Sequence, residues 1–153
     1  MRTRILLFLL VLLPVLGGCN DSEDVKQLIV DKNWRLGNFY YKNQNPILDR
    51  YPNANEIFEA NPNGFIIIFN ENNTFSGKAI NSSFSGNWTG NGKTNDFSMV
   101  ITSTTGSDNT QTALDFIKAI KGAYSYKADE NMLTIYYRYG IRDESMSFYV
   151  KKK

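Results

Sequence analysis

The sequence predicts a mainly β fold: a small antiparallel, barrel-like or strongly curled sheet of about eight strands, with one amphipathic helix packed on it. Three observations support this prediction. After residue 33, apolar and polar residues alternate over most of the chain, which is typical of strands that bury one face. Turn sequences rich in Asn, Gly and Asp separate these runs at hairpin spacing. Helical periodicity replaces the alternation over residues 110–121, which indicates the helix.

A leader precedes the predicted domain. Two arginines are followed by an unbroken apolar run over residues 5–13, and small residues come next. This layout is typical of a secretory signal, and the run is shorter than the roughly 20 residues that span a bilayer. The sequence Leu-Gly-Gly-Cys at residues 16–19 resembles a lipobox, the cleavage motif of bacterial lipoproteins. We therefore predict a signal peptide over residues 1–18, cleavage between Gly18 and Cys19, and acylation of Cys19.

Acylation of Cys19 predicts where the mature protein resides. Each buried methylene contributes about 0.8 kcal/mol to membrane binding, and stable anchoring requires two signals such as two acyl chains. We expect a lipid anchor in the outer membrane of the cell envelope, with the domain in the periplasm or on the cell surface. A Ser and two acidic residues at positions 22–24 resemble the surface-export signal of some Gram-negative lipoproteins. The sequence therefore allows two locations for the domain, the periplasm and the cell surface.

The charge of the mature chain argues against nucleic acid as a partner. The full chain has 17 basic and 15 acidic residues, and loss of Arg2 and Arg4 with the leader leaves 15 of each. A neutral domain lacks the positive field by which proteins attract nucleic acid or anionic lipid. The expected partners are the membrane, through the lipid, and envelope proteins or glycans.

The start of the mature chain differs in pattern from the domain that follows. Residues 19–32 are expected to comprise the lipidated Cys, a polar tether and a short helix, for which Ser22 is a candidate N-cap. Residues 33–153 are expected to form a single domain. In its first strand, Trp34 and Tyr40 are predicted to share one face.

The middle of the domain is predicted to contain a long loop and then four strands. Residues 42–63 hold three prolines and many asparagines, which indicates a loop with a helical turn near residues 54–60. Residues 64–69 are apolar on both faces, which predicts a central strand. The next three strands are predicted at residues 74–80, 84–89 and 97–102.

The predicted helix has start and stop signals. Asp108 and Gln111 have the spacing of a capping-box variant. Apolar residues recur at helical spacing from Leu114 to Ile120, and Gly122 suits a C-cap. The sequence therefore predicts a helix that packs its apolar face against the sheet.

The last hairpin contains our candidate interaction face. If the hairpin pairs in the register that aligns its apolar residues, then Tyr136, Arg138 and Tyr149 point outward. Tyr and Arg are enriched at protein interfaces, and Tyr rings also stack on sugars. The alternative is that these residues are ordinary cross-strand pairs. The strands of this part are predicted at residues 124–127, 132–139 and 146–150.

From Trp34 to Val150, the order of features resembles the META domain of bacterial heat-shock-inducible and envelope proteins. The resemblance implies a lipocalin-like topology with one helix, no established catalytic residues, and a role in envelope stress, drug tolerance or interaction. Ile80 stands where many members have a Cys, so the family's disulfide is absent. A small lipocalin-like lipoprotein is the nearest alternative. The matching features are Trp34-Arg35-Leu36, Phe75-Ser76-Gly77, Asn81, Phe84-Ser85-Gly86, Trp88, the segment 102–105, Tyr126 and Leu133.

The chain lacks several residue types that catalysis commonly uses. It has no His, and its single Cys is Cys19. Standard Ser-His-Asp and Cys-His catalysis and Cys/His zinc sites are therefore excluded. We expect no catalytic residues, no metal and no cofactor. The carboxylate pairs Asp129-Glu130 and Asp143-Glu144 are predicted to be solvated turn residues.

These observations favour a membrane-anchored envelope lipoprotein whose META-like domain binds a partner without catalysis. The alternative is a lipocalin-like carrier of a small apolar ligand, which requires an interior that side chains do not fill. A third hypothesis is a glycosidase, which requires two carboxylates roughly 5–9 Å apart in a cleft. The carrier is disfavoured if five aromatic residues pack the interior: Trp34, Phe69, Phe84, Trp88 and Phe148.

Overall fold

A computed structural model describes residues 21–151, with side chains from residue 24 onward. Gly18 and Cys19 lie outside this range, so cleavage and acylation remain predictions. The elements in chain order are α1 (Asp21–Ile29), β1 (Asn33–Tyr41), α2 (Ala54–Ala60), β2 (Ile66–Phe69), β3 (Thr74–Lys78), β4 (Ser83–Gly90), β5 (Phe97–Thr105), α3 (Gln111–Lys121), β6 (Ala123–Ala128), β7 (Met132–Tyr139) and β8 (Arg142–Val150).

The eight strands form one antiparallel sheet in the order β5-β4-β3-β2-β1-β8-β7-β6. The prediction of a mainly β, curled antiparallel sheet is confirmed, and β2 is central as its two apolar faces indicated. The sheet does not close. Its edge strands approach each other where the amide of Tyr126 donates to the carbonyl of Asn95 at 3.1 Å, and Asp96 forms an isolated bridge with Ser125.

α1 covers the end of the sheet at which β1 begins. Val25 and Ile29 are fully buried, because the helix lies against the inner face. The indole of Trp34 donates to the carbonyl of Ile29 at 2.8 Å, which joins the helix to β1. The short helix predicted within residues 19–32 is therefore present and packs on the domain, but it starts at Asp21, so Ser22 lies inside it and is not its N-cap.

α3 covers the opposite end of the sheet. The hydroxyl of Thr110 caps the helix by accepting a hydrogen bond from the amide of Ala113 at 3.3 Å, and Gly122 ends it as predicted. Phe116 is fully buried. By contrast, Leu114 is 46% exposed, so its place on the apolar face was wrong.

Asp108 does not cap α3, contrary to the prediction. Its carboxylate instead accepts the backbone amides of Asn81 and Ser82, at 2.7 and 3.0 Å. This contact joins the segment before α3 to the turn between β3 and β4. Burial alone would raise the pKa of Asp108, but hydrogen bonds from the Ser82 hydroxyl and the backbone amides outweigh it, so the pKa is lowered.

A β-bulge at Gly37 reverses the two faces of β1. The pairing of β1 with β8 shifts between Leu36 and Asn38, which inserts one extra residue. Phe39 is therefore buried and Tyr40 lies on the outer face, which is the opposite of the sequence prediction.

Asp108→Ala should lower the free energy of unfolding by about 1 kcal/mol, since two backbone amides lose a charged but partly exposed acceptor. The folded pKa of Asp108 lies below its ordinary value of 3.8. Its contribution is therefore present above that pH and is lost as the pH falls through the folded pKa. Urea unfolding between neutral pH and pH 3 should show a smaller acid-induced loss in the variant. Asn109→Ala is the control, and an equal acid-induced loss in the wild type and Asp108→Ala would contradict this role.

Candidate functional site

The three residues of the predicted interaction face lie on the outer surface of the sheet. The β7–β8 register pairs Ile135 with Met146 on the inner face, which is the alignment that the prediction required. Arg138 and Tyr149 are exposed, and Tyr136 is half-buried. The structure thus brings all three to one side of the sheet.

Tyr40 extends this surface onto β1. Tyr40 is paired with Ser145, which is paired with Tyr136 on its other side. The two rings flank the serine, which is only 6% exposed. Burial and the neighbouring phenol of Tyr149 raise the pKa of Tyr40. We call Tyr40, Tyr136, Arg138 and Tyr149 the tyrosine face.

Gly37 determines where the ring of Tyr149 lies. A Cβ at Gly37 would overlap ring atoms Cδ2 and Cε2 of Tyr149, so the ring occupies space that any other residue would fill. Tyr149 nevertheless remains 49% exposed. The ring is therefore held against the backbone on one side and open to solvent on another.

A groove of about 410 Å³ lies beside Tyr149, between α2 and the β1–β8 pair. Gly37 and Arg35 line it from β1. Asn55 and Glu59, one helical turn apart on α2, are exposed at its other side. A small set of polar groups next to an aromatic ring is typical of small-molecule sites.

At the other end of the tyrosine face, Arg138 lies near an aromatic ring and an ion pair. Its guanidinium carbon lies 5.4 Å from the ring centroid of Tyr124. Asp143, opposite Arg138 on β8, forms an ion pair with Lys42 at 3.1 Å. Because this pair is exposed, it contributes little to stability.

Glu144 is buried, contrary to its prediction as a turn residue. Its side chain is 0% exposed and forms two hydrogen bonds with the Arg50 guanidinium: Nη2 to Oε1 at 2.6 Å and Nη1 to Oε2 at 2.9 Å. The hydroxyl of Tyr137 donates to Oε2 at 2.8 Å. Burial, then the charge of Glu144, raises the pKa of Tyr137, which keeps this phenol protonated.

A second buried carboxylate lies on α3. The hydroxyl of Tyr51 donates to Asp115 Oδ2 at 2.9 Å, and Arg50 Nη1 donates to the Tyr51 oxygen at 3.3 Å. The Arg50 guanidinium also lies 4.1 Å from the ring centroid of Tyr139. Arg50 therefore joins the loop before α2 to β7, β8 and, through Tyr51, to α3.

These carboxylates have a structural role. Glu144 and Asp115 are both buried, and both accept hydrogen bonds from side chains of the loop before α2. Asp129 accepts the amides of Asn131 and Met132, each at 2.8 Å, as expected of a turn residue.

The inner face of the sheet is packed with aromatic rings. Phe69 contacts Trp88 at a centroid distance of 5.5 Å, and Phe116 contacts Phe84 and Phe148 at 6.0 and 6.2 Å. These contacts fill the space that an apolar ligand would need. All five residues named as the test of the carrier hypothesis are buried: Trp34, Phe69, Phe84, Trp88 and Phe148.

Sequence reasoning missed the Arg50 network because its members come from distant segments; Arg50 and Glu144 are 94 residues apart. One local signal was present. Glu144 continues the inward alternation of Met146 and Phe148, which predicts a buried carboxylate in need of a partner. No comparable signal marks Asn55 or Glu59.

Two further observations concern residues 21–151. No group of three or more His, Cys, Asp or Glu side chains in this range is arranged to hold a metal ion. Within the same range, every helix is too short or too polar to cross a membrane.

The fold and the surface define a class: a small antiparallel β domain with a filled interior and an outer face of tyrosines. The chain belongs to the family described as a domain of unknown function, DUF4847, whose model matches residues 20–150. The match begins before α1, in agreement with the burial of that helix. No curated protein matches the chain.

A solved structure supports the fold. The crystal structure of a DUF4847 family protein from Bacteroides vulgatus ATCC 8482 is similar to this chain, with a TM-score of 0.66 and 24% sequence identity. The similarity covers 84% of this chain and 99% of that chain. At this identity, the comparison concerns the fold alone.

The resemblance to the META domain was wrong, because the matching family is DUF4847. Packing within the sheet explains the two glycines of the Phe-x-Gly motifs on which the resemblance depended. A Cβ at Gly77 would overlap the Phe84 ring, and a Cβ at Gly86 would overlap the carbonyl of Val100. A Phe-x-Gly strand therefore reflects close packing in a curled sheet. The stress and drug-tolerance roles depended on the resemblance and are withdrawn.

Arg50→Met should lower the free energy of unfolding by about 3–5 kcal/mol, because it leaves Glu144 buried without its counter-ion. Urea unfolding measures this. Lys42→Met is the matched control, since it breaks an exposed pair, and should change little. The double variant Arg50→Met/Glu144→Leu should recover part of the loss, because an apolar pair can replace a buried ion pair. The recovery is incomplete because the buried Tyr137 hydroxyl loses its acceptor. If Arg50→Met costs no more than Lys42→Met, the network is not structural.

Proposed function

We propose that this protein is a lipid-anchored domain of the bacterial outer membrane, without catalytic activity of its own, that binds an envelope partner through the tyrosine face. The packed interior is the observation that supports this proposal best. Since aromatic side chains occupy the inner face of the sheet, binding is left to the outer surface.

The composition of the tyrosine face suits recognition. Tyr and Arg are the residue types enriched at protein interfaces, and Tyr supplies both an apolar ring and a polar hydroxyl. Tyr149 and Arg138 are exposed, and Tyr40 and Tyr136 are half-buried on the same side of the sheet. All four belong to three neighbouring paired strands, β1, β8 and β7.

The leader supports the anchor. Residues 1–18 have the pattern of a secretory signal that ends at the only Cys of the chain. We propose acylation at Cys19, with the domain in the periplasm or on the cell surface.

Cys19→Ser, with residues 1–18 replaced by the signal peptide of a secreted protein without a lipid anchor so that the leader is still removed, should move the protein from the membrane fraction to the soluble fraction of its host, because the acyl chains that hold it are lost. Mass spectrometry of the wild-type protein should find residue 19 first in the mature chain and carrying fatty acid. Ser22→Ala, just after the anchor, is the control and should stay in the membrane. A wild-type protein that retains its leader or lacks fatty acid would rule out the anchor.

A photo-crosslinking amino acid at Arg138 should capture an envelope partner in living cells, because Arg138 lies on the tyrosine face. The same amino acid at Val100, which is exposed on the edge strand β5, is the control. The Arg138 adduct should weaken when Tyr136→Ala and Tyr149→Ala are combined. Equal crosslinking from both positions, or an adduct that the tyrosine substitutions leave unchanged, argues against this face.

A further inference from the structure

The groove beside Tyr149 has the chemistry of a sugar site. We infer that it binds a neutral saccharide. This inference rests on the proposed function, since it names the ligand class that one part of the tyrosine face would take.

An aromatic ring held in a fixed position forms one side of the groove. Tyr149 lies against Gly37, which leaves no room for the ring to move toward β1. Tyr149 lines the groove together with Arg35, Asn55 and Glu59. The apolar C–H face of a pyranose ring packs on such an aromatic surface, while its hydroxyls remain free to form hydrogen bonds at the rim.

The cations near the groove are already engaged. Arg35 Nη2 donates to the carbonyl of Phe58 at 2.6 Å. Lys151 Nζ donates to the carbonyl of Pro62 and to Asn63 Oδ1, each at 2.9 Å. These hydrogen bonds hold α2 and the segment after it in place, while both side chains keep their positive charge.

The unused polar groups are an amide and a carboxylate. Within residues 21–151, the side chains of Asn55 and Glu59 form no hydrogen bond, and both are exposed on one face of α2. The amide donates and accepts, and the carboxylate accepts. The groove is lined by both signs of charge, Arg35 and Lys151 against Glu59. A polyhydroxylated ligand, which both donates and accepts hydrogen bonds, suits such a mixed lining better than a phosphate, which only accepts.

The size of the groove agrees with this ligand class. Its volume of about 410 Å³ lies in the range of roughly 300–1,000 Å³ that small-molecule sites occupy. One or two sugar rings fit this space, so a terminal unit of a glycan is the expected occupant.

The test is titration of the ¹⁵N-labelled mature chain, carrying Cys19→Ser to prevent acylation, with maltotriose, cellotriose and chitotriose in turn. At least one trisaccharide should shift the amide signals of Gly37, Asn55, Glu59 and Tyr149. A dissociation constant of about 1 mM is expected for so small a site. Glucose 6-phosphate should bind more weakly than the neutral sugar.

Tyr149→Ala should weaken binding about tenfold, the effect of losing one aromatic contact. Gly37→Ala displaces the ring, and Asn55→Ala removes an exposed amide with no effect on the fold; both should weaken binding. Val100→Ala, at an exposed position on β5 that belongs to neither the groove nor the tyrosine face, is the control and should bind as the wild type does.

Three results overturn the inference: no shift with any trisaccharide, shifts that map away from the groove, or equal affinity in wild type, Gly37→Ala and Asn55→Ala. If the Arg138 crosslink persists alongside any of these, the proposed function stands and its ligand is a protein. If sugar binds in the groove but no crosslink forms, the partner is a glycan and the protein-interface part of the tyrosine face is wrong.

Discussion

Phe116 on α3 packs against aromatic rings from both halves of the curled sheet. The edge strands β5 and β6 meet only where Asn95 and Asp96 contact β6, so a helix must cover the rest of the opening between them. Phe116 does this from α3, with ring centroids 5.5 Å from Phe65, 6.0 Å from Phe84 and 6.2 Å from Phe148. Loss of apolar contacts here would expose both halves at once. The same packing removes the interior as a ligand site and leaves the outer face for recognition.

Local signals predicted most of the fold. Alternation gave the strands, and asparagine and glycine gave the turns, because burial and backbone geometry act over a few residues. The predictions failed where a single residue changed the register of a strand or the position of a helix cap. The bulge at Gly37 exchanges the faces on which Phe39 and Tyr40 lie. A single glycine in a strand does not by itself predict a bulge. Asp108 has the spacing of a cap but binds the β3–β4 turn instead, since a nearer residue, Thr110, takes the cap.

The candidate site was partly predictable for the same reason. Tyr136, Arg138 and Tyr149 follow from the register of one hairpin, which is a short-range property. The groove requires α2 to lie beside β8, and the Arg50 network requires a loop to meet β8 across 94 residues. Such contacts depend on the whole topology, so no local pattern contains them. The META resemblance failed because it depended on Phe-x-Gly motifs, and in this chain these motifs reflect how the sheet packs against its own glycines.

The position of α1 has a consequence for how the protein meets the bilayer. The helix starts at Asp21 and is fixed to the sheet by Val25 and Ile29. With Cys19 acylated, only Asn20 lies between the acylated residue and the start of α1, and the two residue steps from Cys19 to Asp21 reach at most about 7 Å. The domain would then sit directly on the lipid surface rather than at the tip of a stalk. The end of the sheet covered by α1 would face the headgroups. The opposite end, covered by α3, would point away from the membrane.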